Sequence, residues 1–301
     1  MRIAITGPTG HIGNKIVQIL QDMGGNELVL LARNPDKLTT ERARGATVIQ
    51  GDLEDSNFVK RATHNVDSLF WMIPPKPDET AFRGYVRKLS ENAAYAIRSN
   101  KIKRVVFLSS IGAHLGEGCG PVSGLHDAEH ILRQAAWNIT ILRPAYFMEN
   151  FLMSLESISE LGALYLPISG STSFPMIATK DIAEVAAKAL SEINWAGLRI
   201  MSLHGPRDYT FEEAARIIGE KIGREVRFIQ VSPDQTEAFL ISKGVSGHMA
   251  DLYLQMYHAI DTGYMKDEVP RGPQTTTPTT LEEFAGEFIV PAIKNQHVIK
   301  K

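Results

Sequence analysis

The stretch that decides the fold is Thr6-Gly7-Pro8-Thr9-Gly10-His11-Ile12-Gly13, near the start of the chain. It follows the short apolar run Ile3–Thr6 and leads into an amphipathic segment that begins near His11. Glycine accepts backbone conformations that other residues resist, so the spacing predicts a tight turn between a buried strand and a helix. A diphosphate can approach the amides of such a helix N-terminus, where the helix dipole favours anions. The pattern predicts a dinucleotide site that includes Gly7, Thr9, Gly10, His11, Ile12 and Gly13.

A glycine triplet alone is also compatible with a plain turn, and the rest of the chain decides between the two. The first half alternates apolar runs with amphipathic segments of helical length. The runs are apolar throughout, as expected for strands covered by helices on both faces. This alternation predicts an α/β fold with a Rossmann-type, doubly wound parallel sheet. The predicted strands are Ile3–Thr6, Leu28–Ala32, Thr47–Gln50, Ser68–Ile73, Val105–Ser109 and Thr140–Leu142.

The alternation of strands and helices loosens after about Leu142. We expect residues 1–145 to form an NAD(P)-binding Rossmann domain. Residues 146–301 are expected to add late strands to the sheet and to build a smaller, mostly helical substrate-binding lobe. One of these late strands, Leu198–Leu203, is predicted to return to the main sheet, and Leu166–Pro175 is predicted to be a loop. The predicted helices are Met148–Glu160, Lys180–Ile193, Phe211–Ile222, Pro233–Lys243, Gly247–Asp261 and one that begins near Leu281.

The composition excludes several classes of protein. The chain of 301 residues has 32 Lys and Arg against 34 Asp and Glu, a net charge of −2, which argues against a nucleic-acid binder because phosphate contacts need excess positive charge. No apolar run approaches the roughly 18 residues of a membrane helix. The N-terminal residues do not have the pattern of a signal peptide. The one cysteine, Cys119, rules out an internal disulfide, and its glycine-rich surroundings predict an accessible loop. We therefore expect a cytoplasmic protein.

The end of the second predicted strand indicates which dinucleotide is preferred. An NAD site usually has a carboxylate there, which binds the ribose hydroxyls. This chain has Ala32-Arg33-Asn34 instead, and a guanidinium suits a 2′-phosphate. The sequence therefore predicts NADP(H) in preference to NAD(H). The alternative for Arg33 is a solvated surface arginine.

Further cofactor contacts are expected at the carboxyl ends of the other strands, where open α/β sheets bind ligands. Asp52 is placed to accept a hydrogen bond from the adenine amino group; the alternative is a cap on the segment that begins at Glu54. The predicted cofactor-binding residues at these strand ends are Asp52, Leu53, Ile73, Pro74, Ser109 and Pro144.

Several short motifs in this order resemble the NmrA-like family, a branch of atypical short-chain dehydrogenases/reductases. The glycine spacing is Gly-x-x-Gly-x-x-Gly, and the other motifs are Arg33-Asn34-Pro35, Gly51-Asp52-Leu53, Leu108-Ser109-Ser110, Leu142-Arg143-Pro144 with Phe147-Met148-Glu149-Asn150, and Gly205-Pro206. The family includes small quinone reductases and dinucleotide-sensing regulators. The resemblance implies either an NADPH-dependent oxidoreductase or a sensor that binds a regulatory protein partner and catalyses nothing.

The catalytic residues of typical short-chain reductases are only partly present. Ser110 matches the serine after the fifth strand, but no Tyr-x-x-x-Lys occurs in the chain. On the helix that should carry it, His126 and His130 lie one turn apart, and His126 is a candidate general acid. Tyr146 is a second candidate donor. The two histidines lack an evident third ligand, so we expect no metal.

The missing tyrosine also bears on the substrate. Reduction of an isolated ketone needs acid assistance, whereas a quinone or conjugated enone gives a delocalised anion that solvent can protonate. We therefore expect hydride transfer to a small apolar quinone, enone or carbonyl compound, without flavin. The predicted function is compatible with a homodimer. The predicted substrate-binding residues are Phe147, Met148, Asn150 and Phe151.

Overall fold

The computed structural model of the protein describes residues 1–299. Seven strands form one parallel sheet: β1 (Arg2–Thr6), β2 (Glu27–Ala32), β3 (Thr47–Gln50), β4 (Ser68–Met72), β5 (Arg104–Leu108), β6 (Asn138–Pro144) and β10 (Gly197–Leu203). Their order across the sheet is β10-β6-β5-β4-β1-β2-β3. The predicted Rossmann-type α/β fold is confirmed, and all six strands predicted in the first half are present within two residues of their expected ends.

Helices cover both faces of this sheet. On one face lie α1 (His11–Met23) and α6 (Thr179–Ser191), whose apolar side chains pack with Ile3 and Ile5 of β1. On the other face lie α3 (Ser56–Ala62), α4 (Phe82–Asn100) and α5 (Pro121–Ala135), which pack against Ala4. The short helix α2 (Thr39–Ala43) lies between β2 and β3. Successive strand residues point to opposite faces, which is why uniformly apolar strands fit this arrangement.

The rest of the chain forms a second lobe beside the carboxyl ends of the strands. It contains β7 (Tyr146–Phe147), β8 (Ala163–Leu166), β9 (Ser173–Ile177), β11 (Asp208–Thr210) and β12 (Arg227–Gln230). Its helices are α7 (Phe211–Ile222), α8 (Pro233–Ser242), α9 (Gly247–Asp261), α10 (Leu281–Phe284) and α11 (Val290–Ile299). Three buried phenylalanines lie in its core: Phe151, Phe211 and Phe284. As predicted, β10 returns to the main sheet, where it pairs with β6.

At the start of this lobe, one predicted helix has an irregular form and one predicted loop is partly a strand. The predicted helix Met148–Glu160 is present, but it is irregular: a 3₁₀ helix spans Met148–Ser154, and a π-helical turn spans Ser157–Leu161. The buried residues Met148 and Phe151 are three apart, which is the spacing that a 3₁₀ helix aligns on one side. The stretch predicted as a loop contains the start of β9, which pairs with both β7 and β11.

The loop around Cys119 is packed rather than accessible. The Cys119 side chain is fully buried, and burial raises the pKa of its thiol. Gly120 has a φ of 57°, and a Cβ at this position would lie 1.9 Å from the carbonyl oxygen of Leu252 in α9. The glycines of this loop therefore allow close packing under α9, and the predicted accessibility of Cys119 is wrong.

Candidate active site

The glycine turn is built so that only glycine fits at its two ends. Gly7 has a φ of 63°, and a Cβ there would lie 2.4 Å from Sδ of Met72. A Cβ on Gly13 would lie 2.1 Å from the carbonyl oxygen of Gly7 itself. The amide of Gly10 donates a hydrogen bond of 3.1 Å to the same oxygen. The helix start is thereby held against the end of β1, with the turn folded back on itself.

The N-terminus of α1 is open to a ligand. Its cap residue is Gly10, whose missing side chain supplies no cap, and the first turn carries no acidic residue. Thr9, Gly10 and His11 are exposed, whereas Ile12 and Gly13 are buried. Free amides at a helix N-terminus bind anions, and their dipole adds to the attraction. The structure thus brings together the residues that the sequence predicts for a diphosphate. They surround a space that side chains in place of the glycines would fill.

Exposed charged residues follow β2 and β3. Arg33 follows β2, its side chain is exposed, and its guanidinium forms no ion pair with the side chains of residues 1–295. Asp52 follows β3 and accepts a hydrogen bond of 2.9 Å from the amide of Glu54, the local cap that was the alternative for this residue. That bond uses one carboxylate oxygen, Oδ1, and the Asp52 side chain is exposed. The carbonyl of Leu53 is taken by the side chain of Asn92.

Tyr85 is a residue at this end of the site that the sequence analysis did not single out. Its hydroxyl donates a hydrogen bond of 3.3 Å to the carbonyl oxygen of Pro74, beyond the end of β4. Burial raises the pKa of Tyr85 to about 12, and Arg33 and Asp52 are among the charges that act on it. Tyr85 of α4 therefore fixes the segment after β4 beside the two charged strand ends. In the sequence, Tyr85 is one of the regularly spaced apolar residues of α4, so its spacing indicates only a core position.

A buried ionic network lies behind the ends of β5 and β6. Ser109 donates a hydrogen bond of 2.6 Å to Oε1 of Glu129. Arg143 donates to both oxygens of the same carboxylate, at 2.9 and 2.7 Å, and a further nitrogen lies 2.6 Å from Glu268. The side chains of Arg143 and Glu129 are each 5% exposed. Ser109 is thus held by α5, because its hydroxyl hydrogen is bound to Glu129.

The two catalytic candidates near β5 are placed differently. Ser110 directly follows Ser109, is half-buried, and its carbonyl oxygen accepts a hydrogen bond from the amide of Ala113. His126 is exposed, and its Nδ1 donates to the carbonyl oxygen of Ala113 at 2.9 Å. The ring lies in a surface groove between α4 and α5 that also contains Arg87 and His130. The general-acid role of His126 therefore stays a prediction, with its Nδ1 hydrogen bound to a backbone carbonyl oxygen.

The segment after β6 divides between core and site. Met148 and Phe151 are buried in the core of the second lobe, so the structure does not place them on a cleft wall as the sequence analysis expects. Phe147 and Asn150 are half-buried. Tyr146 is 7% exposed, and its ring packs against Phe211 with centroids 5.5 Å apart. Pro144, at the end of β6, accepts a hydrogen bond of 3.0 Å from the amide of Ile111.

Glu149 is a second residue near the glycine turn that had no predicted role. Its carboxylate accepts hydrogen bonds from the amide and the hydroxyl of Thr179 at the start of α6. Burial raises the pKa of Glu149, and the nearby His11 acts in the opposite direction. The segment after β6 is therefore fixed beside the first residue of α1. The sequence does not indicate the contact between Glu149 and Thr179, because these residues are 30 positions apart.

A strap over the ends of β6 and β10 is formed by residues 264–272. Asp267 lies 2.6 Å from Nε2 of His204, and this hydrogen bond lowers the pKa of the carboxyl against the effect of burial. Glu268 pairs with Arg143, and Arg271 donates to the carbonyl oxygen of Gly205 at 2.5 Å. The strap is thereby attached to β6 and to the residues that follow β10.

The described residues contain neither a metal-binding cluster nor a membrane-spanning helix. Within that part of the chain, no three His, Cys, Asp or Glu side chains are arranged to hold a metal ion. No helix in the same part is both long enough and apolar enough to cross a membrane.

Comparisons with known proteins agree with the motifs in the sequence. A profile of the NmrA-like family matches residues 1–285. The chain is 26% identical over 285 residues to the NAD(P)H azoreductase of Xenophilus azovorans, covering 94% of this chain and 96% of the relative. It is 25% identical over 251 residues to quinone oxidoreductase 2 of Escherichia coli, covering 83% and 85%. By name these relatives are oxidoreductases, which confirms the predicted enzyme class.

Solved structures show the same fold. The triphenylmethane reductase of Citrobacter sp. superimposes with a TM-score of 0.81 at 22% identity, covering 97% of this chain and 100% of that one. The NADPH complex of the Escherichia coli quinone oxidoreductase superimposes with a TM-score of 0.79 at 24% identity, covering 95% and 99%. The match of the family profile to nearly the whole chain, together with the glycine turn and the seven-stranded sheet, shows that this protein belongs to the NmrA-like family.

Proposed function

We propose that the protein is an NADPH-dependent oxidoreductase that transfers hydride to a small apolar quinone, enone or carbonyl compound, without flavin. The observation that carries the proposal is the uncapped N-terminus of α1 next to a turn in which Gly7 and Gly13 cannot be replaced without a clash. These features fit a diphosphate. The nicotinamide, when bound, supplies the hydride, and the protein binds, orients and shields the reactants.

The residues that would hold the cofactor follow the ends of the strands. The amides at the start of α1 would bind the diphosphate, and Arg33 would bind the 2′-phosphate. Asp52 and the segment Ile73–Pro74, fixed by Tyr85, would bind the adenosine end. Ser110 and Pro144 lie after β5 and at the end of β6, where the nicotinamide end is expected by the rule that ligands bind outside the carboxyl ends of parallel strands.

The acceptor is proposed from chemistry and from the named relatives. The chain lacks Tyr-x-x-x-Lys, and the Nδ1 hydrogen of His126 is bound to the carbonyl oxygen of Ala113, so strong acid assistance to an isolated ketone has no evident source. A quinone or enone needs less assistance. The names of the relatives, an azoreductase and a quinone oxidoreductase, support acceptors of this conjugated kind.

The preference for NADPH over NADH depends on Arg33. Replacing Arg33 by alanine is expected to weaken NADPH binding about tenfold or more, because a charged hydrogen bond to the 2′-phosphate is lost. NADH, which has no such phosphate, should bind the variant and the native protein with similar affinity. Calorimetric titration of both cofactors measures the two effects, and Arg98→Ala, an exposed arginine near the far end of α4, is the matched control. Equal losses for both cofactors would contradict the assignment.

Turnover separates the proposed enzyme from its rival. NADPH oxidation is followed by absorbance with a panel of benzoquinones, naphthoquinones, enones and aldehydes. We expect turnover with the quinones and little with simple aldehydes. Tight NADPH binding without turnover of any acceptor would favour the second candidate function, a dinucleotide sensor that binds a protein partner, which the absent Tyr-x-x-x-Lys also favours.

We also propose that the protein functions in the cytoplasm. Cys119 is the only cysteine of the chain, and its buried thiol is free, as suits a reducing cytoplasm. The proposed ligands are small molecules rather than nucleic acid, because the charges nearly balance. A homodimer is compatible with this function.

A further inference from the structure

Helix α9 spans the gap between the two parts of the site. Tyr253 and Tyr257 are four residues apart, so they share one side of this helix. Tyr253 packs, like Ile73 after β4, against the core cluster that underlies α4. Tyr257 packs against the core of the second lobe, which includes Tyr146. The inner side of α9 thus runs from the end of β4 to the segment that follows β6.

The hydroxyl group of Tyr146 meets two polar groups beneath α9. The Tyr257 hydroxyl and the Asn150 side chain both interact with it. The Tyr146 ring is fixed by Phe151 and Phe211, with centroid distances of 5.8 and 5.5 Å. Burial raises the pKa of Tyr257 to about 12 and raises the pKa of Tyr146 well above its usual value. Both phenols therefore stay protonated at physiological pH and remain hydrogen-bond donors.

This cluster needs an explanation beyond packing. A tyrosine hydroxyl inside an aromatic core costs free energy unless it is hydrogen-bonded, and two phenylalanines would fill the same space without that cost. Tyr146 comes two residues after Pro144, the last residue of β6, at the edge where the strands present their carboxyl ends. Tyr257 is half-buried, so part of its side chain is exposed.

We propose that Tyr146 and Tyr257 form a pair of neutral hydrogen-bond donors that binds the acceptor oxygen on which negative charge develops during reduction. Asn150 acts as a positioning residue for the Tyr146 hydroxyl. Preorganised donors in a site shielded from water stabilise such an oxygen without giving up their protons. Water then supplies the proton that neutralises the product.

The proposal rests on the proposed function and narrows its substrate class. Two phenol donors suit an oxygen whose negative charge is delocalised, as in a hydroquinone anion or an enolate. They suit a simple alkoxide less well, because that strongly basic oxygen requires full proton transfer. The pair therefore favours quinones and enones over isolated ketones and aldehydes.

Binding of 4-nitrophenol tests the pair without turnover, because its absorbance distinguishes the phenol from the phenolate. It is titrated into the protein in the presence of excess NADP⁺. We expect the native protein to bind the phenolate, and Tyr257→Phe to weaken this binding about tenfold or more, through loss of a hydrogen bond to a charged oxygen. Tyr253→Phe is the matched control on the same side of α9 and should change the affinity less than about twofold.

Each outcome bears on the proposal. No phenolate binding by the native protein, unchanged affinity in Tyr257→Phe, or an equal loss in Tyr253→Phe would overturn it. Thermal unfolding of each variant shows whether it is folded, and Asn150→Ala gives a second test, with an expected loss of phenolate affinity.

Titration of NADPH in parallel keeps this proposal apart from the proposed function. Suppose that NADPH binds and quinones turn over, but Tyr257→Phe binds the phenolate as tightly as the native protein does. The tyrosine pair is then wrong and the proposed function stands. If the phenolate binds through Tyr257 and no pyridine nucleotide binds, the proposed function is wrong and the tyrosine pair stands.

Discussion

Replacing Gly13 by alanine is expected to reduce NADPH affinity by about 100-fold, because a shift of about 1 Å in the groups that position a ligand costs that much. The new Cβ would lie 2.1 Å from the carbonyl oxygen of Gly7 and 3.1 Å from Cα of Pro8. Both are backbone atoms, so the turn itself must move, and the amides at the start of α1 move with it. Calorimetric titration measures the affinity, and circular dichroism checks that the fold remains.

A glycine elsewhere in the same domain gives the control. Gly84 lies in α4, and a Cβ there meets no atom within 4 Å. Gly84→Ala should leave NADPH binding unchanged and stabilise the protein by up to about 1 kcal/mol, because alanine favours the helix. If Gly13→Ala binds NADPH as tightly as Gly84→Ala does, the turn does not hold the diphosphate.

The Arg143→Met variant should lose about 3–5 kcal/mol of unfolding free energy, the usual effect of breaking a buried ion pair by removing one partner. Methionine keeps much of the side-chain volume but leaves the buried carboxylate of Glu129 with only the Ser109 hydroxyl. It also releases Glu268, and with it one attachment of the 264–272 strap. Denaturant unfolding measures the loss.

An exposed ion pair provides the comparison for this effect. Arg216 pairs with Glu220 on α7, and their side chains are 59% and 62% exposed. Arg216→Met should cost less than about 1 kcal/mol, since solvent screens such pairs. The double variant Arg143→Met with Glu129→Leu should recover part of the stability, because no buried charge is then left alone. Similar losses for Arg143→Met and Arg216→Met would show that the buried network is not important for stability.

The fold was predictable because its signals are local. The strands of a doubly wound sheet are apolar on both faces, and Thr47–Gln50 and Phe211–Ile222 have the predicted boundaries. The turn between β1 and α1 depends on glycines within seven residues, so one short stretch contains the whole cradle. The helix after Met148 was predicted, but its irregular form was not, because that form depends on which residues the second lobe buries.

The acceptor side of the site was less predictable, because it depends on contacts between distant residues. Tyr146 and Tyr257 join the same hydrophobic cluster only in the folded chain, and nothing near Tyr257 in the sequence indicates this. His126 was chosen from its place on the predicted helix alone, and the sequence could not show that its Nδ1 binds the carbonyl oxygen of Ala113. Glu129 lies on the same helix and turns inward, where it holds Ser109 and Arg143.

The most direct test of the account is a calorimetric titration of the purified native protein with NADPH and, separately, with NADH. The account predicts saturable binding of NADPH at one site per chain and weaker binding of NADH. Binding of neither nucleotide would contradict it, since the glycine turn and the open start of α1 would then have no diphosphate to hold.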